Sequence, residues 1–319
     1  METEIMVEQP EAAAGHKGHR DMHPRLRELL FGLKRFISSP LSVIGLTIIV
    51  IFGLMALFAP IIEPPKTPNN PYMIPHTGWE MQPSPPSMTH PLGTLPQQYD
   101  ILYGIVWGTR SAFVIGVAVV LANLIVGVFL GVLAGYFGGA FDEIIMRITD
   151  IFFAIPFLIM AMALVVVIGR GLGAIILVLV VLNWPQYTRI IRSEILIIRD
   201  REFVQAARAS GASHLRIMFK HILPNTIYSV LILASLSVGA TILNAAALSF
   251  LGLGSDLGYA DWGQMVASAR NWIVGPTGQP LAFWYLVFIP GFAIALFVLG
   301  WNLLGDAARD VFDPKQRRK

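Results

Sequence analysis

Three histidines near the amino terminus, His16, His19 and His23, are the clearest candidates for metal chemistry in this sequence. Imidazole is a common ligand of transition metals, and the three rings could bind one ion if this segment were helical. Residues 1–18 are rich in Ala and Glu, however, which is typical of a disordered segment. We therefore predict no metal site.

Nucleotide chemistry and covalent catalysis are not predicted either. The sequence contains no G-x-x-x-x-G-K-[ST] loop that could hold a nucleoside triphosphate. The run Gly169-x-Gly171-x-Gly173 separates two apolar stretches, whereas a dinucleotide fingerprint must follow a strand and open a helix. There is no cysteine, and the scattered histidines suggest no Ser/His/Asp set. The chain is therefore predicted to be non-catalytic and to bind no cofactor itself.

The composition points to a membrane. Of 319 residues, 55% are apolar and only 13% are charged, against about a quarter charged in soluble domains. The mean hydropathy is +0.64 and the pI is about 9.2. A net charge of +3 is small for a nucleic-acid binder, which spreads a larger basic excess over a polar surface. We therefore predict membrane lipid as a partner and no nucleic acid.

Six stretches lack Asp, Glu, Lys and Arg and are long enough, or nearly so, to cross a bilayer, which takes about 20 apolar residues. They are Leu41–Ile62, Ser111–Phe137, Ile151–Gly169, Gly171–Tyr187, Ile227–Leu253 and Leu281–Gly305. Core helices of a soluble protein would carry polar stripes, and these stretches do not. The predicted fold is an all-α integral membrane protein with six transmembrane helices.

The distribution of basic residues predicts the orientation of these spans. With the amino terminus inside, nineteen Lys and Arg lie on the cytoplasmic side, and four lie outside: Lys66, Arg110, Arg170 and Arg270. Because cytoplasmic loops carry the excess of Lys and Arg, both termini are predicted to be cytoplasmic. No charged residue lies deep in a span, which argues against a proton- or ion-coupled carrier.

The segments outside the spans divide the chain further. Residues 1–40 are predicted to be a cytoplasmic tail with an amphipathic helix from about 24 to 39, which lies on the inner leaflet or extends the first span into the cytosol. Residues 63–100 form a proline-rich extracytoplasmic loop. Residues 101–305 form the core domain with five spans, followed by a cytoplasmic tail over 306–319.

The cytoplasmic stretch over residues 200–224, called here the 200–224 segment, has the pattern helix, break, helix. Ala206, Ala207 and Ala209 favour a first helix, which Gly211 would end in a left-handed conformation. Ser213 is a predicted N-cap of the second helix, and Pro224 is predicted to stop that helix. This capping predicts two short helices that form a compact knob, rather than a flexible loop.

Several residues within or beside the spans are candidates for packing or for a pathway. Gly127, Gly131 and Gly135 form a doubled G-x-x-x-G pattern, which predicts close helix packing. The polar Asn123 and Asn244 lie within spans and are interpreted either as pathway-lining residues or as hydrogen-bonding partners of a neighbouring helix. Arg147 and Asp150 are three residues apart and are predicted either to pair as an inner gate or to anchor the topology.

The 200–224 segment resembles the EAA motif of binding-protein-dependent ABC importer permeases, E-A-A, three residues, G, nine residues, I-x-L-P. Ala206, Ala207, Gly211 and Leu223-Pro224 match the pattern, Gln205 stands for the Glu, and His221 for the Ile. Similarity to the second permease subunit of dipeptide/oligopeptide (peptide/nickel) importers extends over about 25–313. It includes Ala59-Pro60-Ile61-Ile62, His90-Pro91-Leu92-Gly93-Thr94, Gly135-Tyr136-Phe137-Gly138-Gly139, Asp142, Arg147, Asp150, Leu248-Ser249-Phe250-Leu251-Gly252-Leu253-Gly254, Trp262-Gly263, Gly305-Asp306, Arg309-Asp310 and Asp313-Pro314. The family's D-x-x-G-R-D is replaced by Leu95-Pro96-Gln97-Gln98-Tyr99-Asp100, which retains only the final Asp.

This resemblance implies a type I ABC importer permease fold in the inner (cytoplasmic) membrane of a prokaryotic cell. It implies a homologous permease as partner, two ATP-binding subunits that carry ATP and Mg, and an extracytoplasmic solute-binding protein. Within the 200–224 segment, the resemblance assigns ATPase coupling to Gln205, Ala206, Ala207, Gly211, Ser213, Leu223 and Pro224.

The expected function is import of di- or oligopeptides through a pathway shared with the partner permease. Oligosaccharides or nickel chelates are alternative solutes, since similar permeases carry them. A secondary carrier or channel, and a membrane assembly protein without a transport role, are alternatives of a different class.

Overall fold

The computed structural model describes residues 36–67, 69–275 and 281–312. The tail histidines, most of the predicted amphipathic helix and Asp313-Pro314 lie outside these ranges. The helices are α1 (Pro40–Ile62), α2 (Ile101–Val132), α3 (Gly139–Ala154), α4 (Phe157–Ile168), α5 (Leu172–Ile198), α6 (Glu202–Ala209), α7 (His214–Arg216), α8 (Leu223–Phe250), α9 (Trp262–Ala269) and α10 (Trp284–Phe312). Within the described ranges the fold is all-helical, apart from three isolated β-bridges in the loops.

Five continuous helices in the described ranges are long and apolar enough to cross a membrane: Pro40–Ile62, Ile101–Phe137, Leu172–Ile198, His214–Phe250 and Trp284–Asp310. A helix satisfies its backbone hydrogen bonds internally, which the hydrocarbon interior of a bilayer requires. Large apolar side chains such as Leu57, Ile125 and Val167 are exposed on these helices or on α4. Such an apolar exterior fits contact with lipid.

The third predicted span, Ile151–Gly169, is not one continuous helix. The chain breaks at Ile155 and Pro156, and α3 and α4 meet there at a bend of 96°. Proline disfavours helical geometry in the residue before it, and Ile155 has the extended angles φ −99° and ψ 129°. The described part of the chain thus holds five continuous membrane-length helices, or six spans if the bent pair counts as one.

The long helices form one bundle with a defined order. Helix α2 packs against α5 and α8, α8 packs against α10, and α10 packs against α1. One end of the bundle is covered by the loop over 63–100 and by α9, and the 200–224 segment covers the other. The hydrogen bonds that anchor the loop include those from Trp107 Nε1 to the Glu63 carbonyl (2.9 Å) and from the Tyr103 hydroxyl to the Pro71 carbonyl (2.7 Å).

Candidate functional site

The 200–224 segment is an ordered, capped structure. After α6, Gly211 has φ +76°, a conformation that glycine adopts without strain. The backbone N–H of Gly211 donates to the Arg208 carbonyl (2.9 Å), and that of Ala212 donates to the Ala207 carbonyl (3.1 Å). These two bonds form a Schellman motif, as the left-handed glycine predicts. The Ser213 hydroxyl then caps α7 by accepting from the Arg216 N–H at 3.4 Å.

The prediction that Pro224 stops the second helix is wrong. From His214 the helix continues through a π-helical turn, Ile217–Ile222, into α8, where Leu223 and Pro224 are the first two residues. A proline fits the first turn of a helix, since it has no N–H to donate there. The wider π-helical turn changes the backbone hydrogen bonding just before the proline. The second half of the segment is therefore a rigid extension of α8.

The 200–224 segment is attached to the bundle through apolar contacts. Val204, Ile217 and Ile222 are buried in one cluster with Ile191 and Ile195 of α5. Its outer face exposes Leu215 and Phe219, with 64% and 66% of their surface accessible. A capped segment with a buried inner face and an apolar outer face has the form of a docking surface.

A second π-helical turn, Leu133–Phe137, lies at the end of α2 and contacts the same segment. The Tyr136 hydroxyl is 2.8 Å from His214 Nδ1, and the Arg208 guanidinium lies 5.7 Å from the centre of the Tyr136 ring. Arg199 donates to the Gly135 carbonyl at 2.9 Å. These contacts join the end of α2 to both helices of the segment and to the end of α5.

The three glycines of the doubled G-x-x-x-G pattern face α5. A Cβ on Gly127 would overlap Tyr187, a Cβ on Gly131 would lie 2.6 Å from Ile191 Cγ2, and a Cβ on Gly135 would lie 2.9 Å from Ile195 Cβ. Because real Cβ contacts are longer, α2 and α5 approach this closely only where the side chains are absent.

Arg147 and Asp150 do not pair with each other. Asp150 forms an ion pair with Arg189 of α5, and Arg147 is exposed with no ion pair to any described residue. About two turns before Asp150 on α3, Asp142 accepts two hydrogen bonds from Arg192, at 2.5 Å from Nε and 2.6 Å from Nη2. The i,i+3 spacing allowed a contact between Arg147 and Asp150 within α3. In the structure, the carboxylates of Asp142 and Asp150 instead bind arginines of α5 and so attach α3 to α5.

The two asparagines have different surroundings. Asn123 on α2 is buried, and its side-chain oxygen has no hydrogen-bond partner among the described residues. Asn244 on α8 is half-buried. The side chain of Asn123 is thus enclosed by the bundle, whereas Asn244 is partly accessible, and a pathway role for either residue stays a prediction.

At the other end of the bundle, the side chains of Asp100 and Asp261 each cap the amino terminus of a helix. Asp100 caps α2 by accepting from the Tyr103 N–H (3.0 Å), and its second oxygen is 3.1 Å from His90 Nδ1. Asp261 caps α9 through the Gly263 N–H (2.9 Å) and accepts from the Ser249 hydroxyl (2.6 Å). Burial raises the pKa of Asp261, and these bonds lower it by less.

Beside α9 lies a cavity of about 540 Å³. Leu95, Pro96, Gln97 and Tyr99, from the stretch that departs from the family pattern, form part of its wall. Gln97 has a positive φ of 64°, which is uncommon for a residue other than glycine. Tyr259 lines the same cavity, and its burial is the largest cause that raises the pKa of its hydroxyl to about 12.

Comparison with known proteins agrees with this architecture. Residues 127–318 match the family described as binding-protein-dependent transport system inner membrane component, and residues 32–86 match the N-terminal TM domain of oligopeptide transport permease C. The chain belongs to this family of inner membrane permeases. The match includes the 200–224 segment and the bent pair α3–α4, and it places the chain in the membrane as a multi-pass protein.

Relatives of this permease match it over nearly their whole length. It is 38% identical to the dipeptide transport system permease protein DppC of Alkalihalophilus pseudofirmus, over 89% of each chain. It is also 38% identical to the oligopeptide transport system permease protein OppC of Bacillus subtilis, over 89% of this chain and 88% of the relative. A solved structure of the MetNI methionine ABC transporter, in an inward-facing conformation, has a chain with the same fold, at TM-score 0.53 and 20% identity over 67% of the permease.

Sequence reasoning missed several residues of the permease that the structure brings together. Tyr136 and His214 are 78 positions apart and belong to different predicted elements. Asp142 and Arg192 are 50 positions apart. The exposed pair Leu215 and Phe219 could have been found from the sequence. Apolar residues at i and i+4 lie on one face of a helix, and this pair lies within an otherwise basic stretch.

Proposed function

We propose that this chain is a permease subunit of an ATP-driven, binding-protein-dependent importer of di- or oligopeptides. A homologous permease would complete the pathway, two ATP-binding subunits would carry ATP and Mg, and an extracytoplasmic solute-binding protein would deliver the solute. The family match and the names of the most similar relatives support this proposal. The chain itself carries out no bond chemistry.

One observation carries the coupling role of the 200–224 segment. The segment follows directly after α5 and continues without a break into α8, and it contacts the end of α2 through Tyr136 and His214. A displacement of this rigid segment would therefore move three helices of the bundle together. The exposed Leu215 and Phe219 provide the apolar face on which an ATP-binding subunit would dock.

The proposed topology has six spans, with α3 and α4 as one broken span, and cytoplasmic termini. The absence of native cysteine allows a direct test by single-cysteine labelling. Cysteine at the exposed Met88 should react with a membrane-impermeant maleimide in intact cells, and cysteine at Ser210 only after permeabilisation. Labelling of both positions in intact cells would contradict this topology.

Reconstitution tests the transport function. The chain would be co-expressed with its partner permease and ATP-binding subunits, purified and placed in proteoliposomes with the solute-binding protein. We expect the subunits to co-elute, and a dipeptide to stimulate both ATP hydrolysis and uptake. Uptake by the chain alone without ATP would show a secondary carrier instead. Stimulation by oligosaccharides or nickel chelates, but not by peptides, would reject peptides as the solute.

A further inference from the structure

The cavity beside α9 carries positive charge that no acidic residue offsets. Arg170, from the turn between α4 and α5, and Arg270, at the end of α9, both line it. Both arginines are exposed, and neither guanidinium has a hydrogen bond or an ion pair with any residue that the structure describes. No Asp or Glu lines the wall, and residues 276–280, outside the described ranges, include none.

The nearest acidic residues in the sequence do not supply the missing charge. Asp261 is buried, and its carboxylate already accepts from Ser249, Gly263 and Gln264. Asp256 is exposed and does not belong to the wall of the cavity. The two arginines are also half of the four basic residues that the Lys/Arg distribution places outside the membrane. The cavity is therefore an uncompensated cationic site on the predicted external end of the bundle.

Gln264 also belongs to the wall of the cavity. The residue is only 8% exposed, and its amide oxygen, which has no hydrogen-bond donor among the described residues, is itself buried. A buried carbonyl oxygen without a donor costs free energy, so such atoms are nearly always paired with protein, water or a ligand. The groups that the cavity offers to a ligand are therefore the guanidinium donors of Arg170 and Arg270.

We propose that this cavity binds a small solute with a free carboxylate, such as a dipeptide. Arg170 and Arg270 bind the carboxylate, because guanidinium and carboxylate groups match in charge and geometry. The aromatic residues Tyr99, Tyr259 and Trp272 line part of the remaining wall. This inference rests on the proposed function and adds to it a solute site within this chain.

The size of the cavity agrees with this ligand. Small-molecule sites in proteins span roughly 300 to 1,000 Å³, and this cavity has about 540 Å³. Carboxylate chemistry on this surface could also come from an acidic side chain of the solute-binding protein. The size of the cavity favours a small solute, and the experiment below separates the two sources.

The test uses the assembled complex in nanodiscs without the solute-binding protein. The probes are L-alanyl-L-alanine and its C-terminal amide, which keeps the N–H groups but lacks the carboxylate. Binding constants are measured by saturation-transfer NMR for the wild type, R170Q, R270Q, the double variant that carries both R170Q and R270Q, and R110Q. Arg110 is the matched control, because its guanidinium lies 5.2 Å from the centre of the Trp107 ring and outside this cavity.

We expect L-alanyl-L-alanine to bind the wild type and R110Q equally, and R170Q and R270Q at least about tenfold more weakly. The amide should bind the wild type weakly and be insensitive to both arginine substitutions. Equal binding of L-alanyl-L-alanine by the wild type and the double arginine variant overturns the proposal, as does equal binding of the two probes or no binding by the wild type.

Two parallel measurements separate this proposal from its alternatives. If the arginine variants bind L-alanyl-L-alanine normally but dock the solute-binding protein more weakly, the cavity receives a protein carboxylate and the proposal is overturned. Dipeptide uptake by the complete wild-type system is measured alongside. Uptake without binding in the cavity rejects only this site, whereas no uptake of any peptide rejects the proposed function itself.

Discussion

The hydroxyl of Tyr136 lies 2.8 Å from Nδ1 of His214, and the two rings meet nearly perpendicular to each other at 5.7 Å. Tyr136 belongs to the π-helical turn after α2, and His214 is the first residue of α7. Isolated π-helical turns occur frequently at functional sites, where they redirect side chains from the regular helical pattern. This contact links the end of one long helix to the 200–224 segment.

Replacing Tyr136 with Phe should weaken the link between transport and ATP hydrolysis. The substitution keeps the ring and removes only the hydroxyl, so His214 loses one hydrogen bond, worth about 1 kcal/mol. We expect the complex to assemble normally and the number of peptides imported per ATP hydrolysed to fall severalfold. The measurement is simultaneous uptake and phosphate release in proteoliposomes.

Tyr103→Phe provides a matched control at the other end of the bundle. It also removes one tyrosine hydroxyl from a hydrogen bond, here to the Pro71 carbonyl at 2.7 Å. It should lower the unfolding midpoint by a similar amount and leave the transport stoichiometry unchanged. If both variants change the stoichiometry equally, the effect comes from general destabilisation and not from the contact between Tyr136 and His214.

Gly131→Ala should destabilise the contact between α2 and α5. The new Cβ would lie 2.6 Å from Ile191 Cγ2 and 2.9 Å from the Thr188 carbonyl oxygen, so one helix must shift. Overpacking of this kind costs about 1–3 kcal/mol. The unfolding midpoint of the complex in nanodiscs should therefore fall. Gly53→Ala on α1 is the control, because its Cβ would meet only a Phe113 ring atom at 4.0 Å; an equal loss would contradict this explanation.

The sequence predicted the five continuous membrane-length helices because apolar content alone identifies them, and the first span agrees within one residue, but other bounds were wrong. The predicted second span began at Ser111, since Arg110 interrupted the uncharged stretch, whereas α2 begins at Ile101. Arg110 is accommodated because its guanidinium lies on the Trp107 ring. Helix α5 likewise continues past Arg189 and Arg192, whose charges are paired with carboxylates of α3.

Features that depend on distant partners could not be predicted from spacing. Local rules paired Arg147 with Asp150, but the partner of Asp150 is Arg189, 39 positions away. Gly211 followed from a local rule because the left-handed end of a helix depends on nearby residues only. The cavity beside α9 depends on four separate segments of chain, and no single stretch of sequence indicates it.

Asp142→Asn should loosen α3 from α5. Asp142 receives two charge-assisted hydrogen bonds from Arg192, and both side chains are partly buried. Loss of the carboxylate should cost about 1 kcal/mol in unfolding free energy. The double exchange of Asp142→Arg with Arg192→Asp should recover part of the loss.

The measurement is thermal unfolding of the complex in nanodiscs. Glu143→Gln, at an exposed neighbour without an ion pair among the described residues, should change the unfolding midpoint little. A lack of any difference between D142N and E143Q would contradict the prediction.

Gly211→Val should disturb the 200–224 segment through its backbone. No atom lies within 4 Å of a Cβ at this position, so the side chain meets no obstacle, but φ is +76°. A left-handed conformation costs an L-residue about 1–2 kcal/mol, and a β-branched residue is among the least tolerant. We expect uncoupled ATP hydrolysis in G211V and a milder effect in G211N, measured as uptake per ATP.

Gly173→Val, also in open space but without a positive φ, should behave like the wild type. Normal coupling in G211V would show that this bend does not transmit motion.

Asp261 should make the folded protein less stable as the pH rises. Burial is the largest cause of its raised pKa, and hydrogen bonds from Ser249, Gly263 and Gln264 lower it by less. Because its pKa is higher in the folded state than the unfolded value of about 3.9, the folded chain holds the proton more tightly. The resulting stability is fully present below the unfolded pKa and is lost as the pH rises through the folded pKa.

Asp261→Asn removes this titration while retaining a side-chain oxygen that can cap α9. We therefore expect the unfolding midpoint of the wild type, relative to that of D261N, to be highest at acidic pH and to decline as the pH increases. The measurement is thermal unfolding of both proteins in nanodiscs across the pH range. Asp256→Asn is the control, since Asp256 is exposed on the same loop and its substitution should leave the pH dependence of the wild type unchanged. A wild type that gains stability over D261N with rising pH would mean that the buried carboxylate is stabilised by its hydrogen bonds more than it is destabilised by burial.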